Sequence, residues 1–116
     1  MHEFSVASSL LRMVEGHARA RAATRVVRVH VRIGAQAGVE PDLLCSAWQR
    51  VSERSAAAGA ELVLHAVPLR WECRACATLL APEAVPCCPA CGGPASLASG
   101  FELVLERVEM EVADHV

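Results

Sequence analysis

PLRWECRACATLLAPEAVPCCPACGGP, residues 68–94, holds five of the six cysteines and five of the six prolines of this 116-residue chain. Within it, Cys73-Arg74-Ala75-Cys76 and Cys88-Pro89-Ala90-Cys91-Gly92 form two C-x2-C pairs with eleven residues between them. A C-x2-C pair closes a tight turn that presents two thiolates to one ion. Two such turns facing each other make the tetrahedral sulfur cage that zinc prefers. Four thiolates leave no open coordination position, so the expected ion is structural, and its binding energy can fold a segment too small for its own core. Gly92 and Gly93 let the chain bend around the second turn. Two other readings of the same residues stand beside zinc: a rubredoxin-like iron site, since C-P-x-C-G also occurs in such turns, and a dithiol redox pair. Cys87 adjoins Cys88. It is read as a bystander that could substitute as a ligand or be oxidised.

Outward from this segment the composition changes. Residues 1–67 contain one proline, Pro41, and one cysteine, Cys45. Residues 5–20 carry Val6, Leu10, Met13, Val14 and His17 at helical spacing, with Ser5 as candidate N-cap. Residues 25–33 alternate Val27, Val29, Val31 and Ile33 with Arg28, His30 and Arg32, which predicts a strand ending at Gly34. A second helix is expected from Glu40 or Pro41, with Leu44, Ala47, Trp48 and Val51 on its apolar face and Gly59 as its stop. Cys45 lies near that face and is read as a small core residue. Residues 61–67 predict a second strand. Residues 101–112 predict a third, with a slip near Glu106–Arg107 between the set Phe101, Leu103, Leu105 and the set Val108, Met110, Val112. The predicted fold class is α+β: two helices packed on a small sheet of about three strands, with an inserted four-cysteine zinc-binding module. The predicted domains are 1–67 with 101–116, an α/β domain, and 68–100, the zinc-binding module.

Composition narrows the function. Hydrophobic residues make up 53% of the chain, enough for a real core, but Phe4, Trp48, Trp71 and Phe101 are its only aromatics, so the core is aliphatic. All eleven basic residues are Arg, set against thirteen acids for a net charge of −2. No surplus of positive charge exists to draw a nucleic-acid backbone or an anionic membrane. No apolar run reaches membrane-spanning length and no signal peptide is recognisable, so a cytoplasmic location is expected, where cysteines serve as thiols or metal ligands.

Met1-His2-Glu3 opens the chain. A bulky second residue normally blocks methionine removal, so Met1 is expected to be retained. The α-amine, the deprotonated His2 amide and the His2 imidazole could then chelate one ion through fused rings, with a Glu3 donor completing a planar set. Tetragonal nitrogen and oxygen donors suit Ni(II) or Cu(II). The ordinary alternative is a surface or core histidine.

Taken together, Met1-His2-Glu3-Phe4-Ser5-Val6, the strand 27–33 ending at Gly34, and the two cysteine pairs resemble the HypA/HybF family of hydrogenase maturation factors. The likeness covers nearly the whole chain. It implies a nickel metallochaperone that delivers Ni(II) during [NiFe]-hydrogenase maturation. The position of His2 matches the family's nickel ligand, with Glu3 beside it, and Cys73, Cys76, Cys88 and Cys91 match its structural zinc ligands. An Asp before the second helix assists nickel in some members; Glu40 stands there in this chain, with Asp42 nearby. The implied partners are the GTPase HypB and the hydrogenase large-subunit precursor, with no nucleic acid or membrane; a homodimer is left open.

No nucleophile–base pair, phosphate-binding loop or open zinc site is evident, so no enzyme is expected. The rival reading is a zinc-ribbon interaction module for nucleic acid or a protein partner, for which Arg70, Arg74 and Trp71 would supply the contact face. An iron–thiolate electron carrier is the other. His17 is read as packing or solvent-tipped, His30 and His65 as interface or surface residues, and His115 as part of a fraying tail. Glu102, Glu106, Glu109 and Glu111 are read as a solvated strand face.

Overall fold

A computed structural model describes residues 2–80, 88 and 90–113. Helix α1, Glu3–Ala20, buries Ala7, Leu10, Val14 and Ala18, one residue per turn, which is the apolar stripe a helix of this length needs to pack. Its N-cap is His2, without a side-chain cap bond, so Ser5 lies inside the first turn and is not the cap the sequence suggested. Arg21 and Ala22 turn the chain into strand β1, Ala23–Gly34, with Ala22 at φ 50°. Helix α2, Pro41–Ser52, starts on Pro41, whose fixed φ and missing N–H suit the first helical position. It buries Leu44, Ala47 and Trp48, and the Trp48 indole donates to the Ala60 carbonyl at 3.0 Å.

The expected stop at Gly59 is corrected. The helix ends at Ser52, whose hydroxyl donates to the Trp48 carbonyl at 2.7 Å; Ser55 then donates to the Ser52 carbonyl at 2.8 Å. These side chains compete for helical carbonyls and close a series of turns. Gly59, at φ 78°, instead leads into strand β2, Glu61–Val67.

Three more strands follow: β3 (Arg70–Cys73), β4 (Leu79–Leu80) and β5 (Ala95–Ser99). The last, β6, spans Leu103–Val112, so Phe101 falls outside it and is exposed. Glu106 and Arg107 are adjacent and both exposed, between the part-buried Leu103 and Leu105 and the part-buried Val108 and Met110. The strands form two three-stranded sheets, ordered β2-β1-β6 and β4-β3-β5. Cross-strand contacts rise together from Arg28–Glu61 to Ala35–Val67, so β1 and β2 run parallel, as a strand–helix–strand crossover requires. Contacts from Thr24–Glu111 to Gly34–Glu102 run oppositely, so β6 is antiparallel to β1.

The chain divides into two compact units. One comprises Met1–Val31, Val39–His65 and Val104–Val116, the other Arg32–Gly38 and Ala66–Leu103. The first has the aliphatic core, with Trp48, Leu44, Val14, Val26, Val29 and Val31 as its largest fully buried side chains. The second has a small core of Cys73, Leu80 and Cys88, with Trp71 and Ala95 packed against it. At Gly34 a side chain has no room, because its Cβ would meet the Gly100 carbonyl.

Two sequence readings change in the first unit. His30, expected at a surface or interface, is 6% exposed. Glu109, expected on a solvated face, bonds Arg28 at 2.8 Å and His30 at 2.5 Å. Both follow from β1 being the central strand: a residue there has a neighbour on either side.

Candidate metal centre

The two C-x2-C segments fold into the same turn twice. In the first, Ala77 N–H donates to the Cys73 carbonyl and Cys73 N–H to the Thr78 carbonyl, both at 2.9 Å. In the second, Gly92 N–H donates to the Cys88 carbonyl at 2.7 Å and Cys88 N–H to the Gly93 carbonyl at 2.9 Å. Every partner in one turn is fifteen positions from its equivalent in the other. The fourth residue after the leading cysteine is left-handed in each: Ala77 at φ 61° and Gly92 at φ 73°. Backbone amides also reach the sulfurs, Cys76 N–H to Cys73 Sγ and Gly93 N–H to Cys91 Sγ, both at 3.4 Å. Such donors stabilise thiolate over thiol.

The four Sγ atoms of Cys73, Cys76, Cys88 and Cys91 lie within 4.8 Å of one another. Individual separations are 3.4 Å for Cys73–Cys91, 3.7 Å for Cys91–Cys76 and 3.8 Å for Cys76–Cys88. A Zn–S bond of ~2.3 Å in a regular tetrahedron sets sulfur–sulfur edges of about 3.8 Å. The group therefore has the donor type, number and spacing for one four-coordinate ion. The leading cysteine of each turn is buried and the trailing one exposed.

Proton affinities in the cluster pull apart in the way close thiols do. The Thr78 hydroxyl at 3.1 Å, helped by the Thr78 backbone, draws Cys76 down to about 6. At Cys91 the Gly93 N–H favours the thiolate, but the neighbouring Cys73 and Cys76 sulfurs outweigh it and push the thiol up to about 12. One thiolate resists the next at these distances. A divalent cation relieves that conflict by offsetting part of the thiolate charge. Gly93 permits the close packing, since a Cβ there would sit 3.0 Å from Ala75 Cβ and 3.2 Å from Cys91 Sγ.

The N-terminal candidates lie in the other unit. His2 is exposed, and its carbonyl accepts the Val6 N–H at 2.8 Å to start α1. Glu3 is only 8% exposed, and its Oε2 accepts the Glu40 backbone N–H at 3.0 Å. That bond, followed by Glu3's own N–H, holds the Glu3 carboxyl below its ordinary value. Glu3 thus ties the start of α1 to the N-cap of α2 and brings Glu40 into the neighbourhood of His2. The side chains of Glu40 and Asp42 are exposed. Met1 and Cys87 lie outside the described residues, as does His115. Cys45 is part-buried, and burial, then Asp42, raises its thiol.

The Glu3–Glu40 bond spans 37 positions and has no sequence signal beyond an acid at each end. A second cluster was likewise missed: His30 contacts His65, Glu109 and Arg107 across the β2-β1-β6 sheet. Its signal was visible only as polar residues alternating along β1.

A family model described as hydrogenase/urease nickel incorporation, metallochaperone, hypA matches residues 1–110. The hydrogenase maturation factor HypA of Wolinella succinogenes is 37% identical, covering 98% of each chain. That of Aquifex aeolicus is 38% identical over 97% of this chain and 99% of its own. Among solved structures, the Ni metallochaperone HypA from Helicobacter pylori superimposes with a TM-score of 0.72 at 30% identity, over 97% of this chain and all of that one. A second HypA solution structure gives 0.81 at 31% identity, over 97% and 98%. With the fold, the four-cysteine group and near-complete coverage in agreement, the chain belongs to the HypA family of nickel-incorporating metallochaperones.

Proposed function

We propose that this protein binds Ni(II) at its N-terminus and delivers it during [NiFe]-hydrogenase maturation, while Cys73, Cys76, Cys88 and Cys91 hold a structural Zn(II). The observation that carries the nickel site is the pairing of an exposed His2 with a Glu3 carboxylate fastened to Glu40 N–H. The Met1 amine, the His2 amide nitrogen and the His2 imidazole form fused chelate rings, and the Glu3 backbone or a carboxylate fills the remaining position. Because Glu3 Oε2 already accepts a hydrogen bond, its side chain serves chiefly to position the site and bring Glu40 near. Nickel binding demands loss of amide and amine protons and a neutral imidazole, so it weakens as pH falls.

Zinc is supported by the sulfur spacing and by the closed donor set, which leaves substrate no position to occupy. The protein is therefore read as a carrier and not as an enzyme. The proposed partners are the GTPase HypB and the hydrogenase large-subunit precursor, in the cytoplasm. An exposed site suits such exchange, since a partner's ligands can attack the ion before this chain releases it.

The test is metal analysis and nickel titration of untagged protein, with Met1 confirmed by mass spectrometry. His2→Ala, or a tag that blocks the amine, loses the nickel site while one zinc per chain remains. Nickel binding by His2→Ala equal to the parent would refute the N-terminal site. Cys73→Ser releases zinc, whereas Cys87→Ser retains it; zinc loss in the latter would mean that the ligand set is wrong.

A further inference from the structure

We propose that Glu109, His30 and His65 form a one-proton chain that clasps strands β6, β1 and β2, and that a second proton opens it. His30 Nε2 lies 2.5 Å from Glu109 Oε2, and His30 Nδ1 lies 2.9 Å from His65 Nε2. The imidazole planes differ by only 11° with centroids 5.2 Å apart. That centroid distance exceeds the nitrogen separation by about two ring radii. The rings therefore meet edge to edge, nearly coplanar, with the two nitrogens between their centroids. This is the geometry of a shared proton and not of stacked faces.

The proton positions follow. Glu109 is held below its ordinary carboxyl value, first by the His30 hydrogen bond, so it is ionised and accepts the His30 Nε2–H. His30 Nδ1 is then a lone pair and accepts the His65 Nε2–H. Arg107 Nη2, 3.1 Å from His30 Nε2, has no lone pair to meet there and pairs with Glu109 Oε2 at 3.5 Å. Arg28 joins the same face, bonding Glu109 at 2.8 Å and Glu61 at 3.1 Å. Among the described residues, the charged groups bonded into this set are Arg28 from β1, Glu61 from β2, and Arg107 and Glu109 from β6, with Arg32 following His30 on the same face of β1.

One added proton is compatible with this arrangement. It makes the exposed His65 an imidazolium that still donates through Nε2, and the Glu109 carboxylate balances it through His30. On the two rings, a second proton has only His30 Nδ1 to occupy. There it would confront the His65 Nε2–H across 2.9 Å, charge against charge, beside Arg28 and Arg107. The rings must then part. His30 is held by burial at 6% exposure, so His65 is the ring that swings away, releasing β2 from this side-chain tie.

Imidazole nitrogen NMR on the intact zinc-loaded protein, titrated from neutral pH downward, tests this without a variant. The expected result is His30 as the Nε2–H tautomer at neutral pH, and two successive proton uptakes shared by the pair. The first should move both rings, and the second should coincide with faster amide exchange in β2. In His65→Gln the coupling disappears and His30 shows a single uptake. Two rings titrating independently, a His30 Nδ1–H tautomer, or β2 exchange unchanged through both uptakes would each overturn the proposal.

Discussion

Gly92 and Ala77 occupy equivalent left-handed positions, at φ 73° and 61°, in turns whose hydrogen bonds otherwise match. A left-handed conformation costs a residue bearing Cβ about 1–2 kcal/mol, while replacing glycine by alanine recovers roughly 0.4–1 kcal/mol through the unfolded chain. Nothing lies within 4 Å of a Cβ built on Gly92, so no packing term enters. Gly92→Ala should then destabilise the module by ~1 kcal/mol, and Ala77→Gly should stabilise it by a similar amount. Since metal binding and folding of such a module are one equilibrium, each change appears in metal affinity as roughly a fivefold difference, in opposite directions. The assay is Zn(II) competition against a chromophoric chelator with reduced, untagged protein. The reasoning fails if the two variants shift affinity in the same direction, or if neither differs from the parent. It also fails if Gly92→Ala loses the metal altogether, which would mean that something other than backbone strain governs the turn.

Trp48→Ala removes the largest fully buried side chain of the first unit together with its bond to the Ala60 carbonyl. A loss of about 3–5 kcal/mol is expected, read as a lower urea midpoint, with zinc content unchanged. Glu3 and Glu109 both have folded values below the ordinary 4.5, so they contribute stability above that value and lose it as pH falls through their lowered values. Melting temperature should accordingly drop below about pH 5, and Glu109→Gln should flatten that part of the curve; an unchanged slope would remove Glu109 from the account.

Much of the fold could be read from local pattern because its elements are locally specified. The alternation of Val27, Val29, Val31 and Ile33 is a strand wherever it is buried, and Pro41 marks a helix start by its own stereochemistry. The misreadings came from competing side chains. Ser5 has the residue type of a cap, but α1 begins two residues earlier, at Glu3, whose carboxylate is held by a residue 37 positions away. Gly59 has the residue type of a helix stop, yet Ser52 and Ser55 capture carbonyls first.

The division between sequence and tertiary structure is sharpest at the two polar clusters. C-x2-C spacing goes far to specify each sulfur-bearing turn, because the bonds joining Cys73 to Ala77 and Thr78, and Cys88 to Gly92 and Gly93, close within five residues; only Arg74 N–H reaches further, to the Pro94 carbonyl at 2.9 Å. The sequence by itself therefore named the four cysteines and the chemistry they suit. It could not pair Glu3 with Glu40, nor set His30 between His65 and Glu109, which are separated by 37, 35 and 79 positions. Those contacts exist only once α2 crosses over to lay β2 beside β1 and β6 returns on its other side. Burial then decides part of their character: His30 lies on the central strand at 6% exposure, so its two ring nitrogens meet side chains of both flanking strands in place of water.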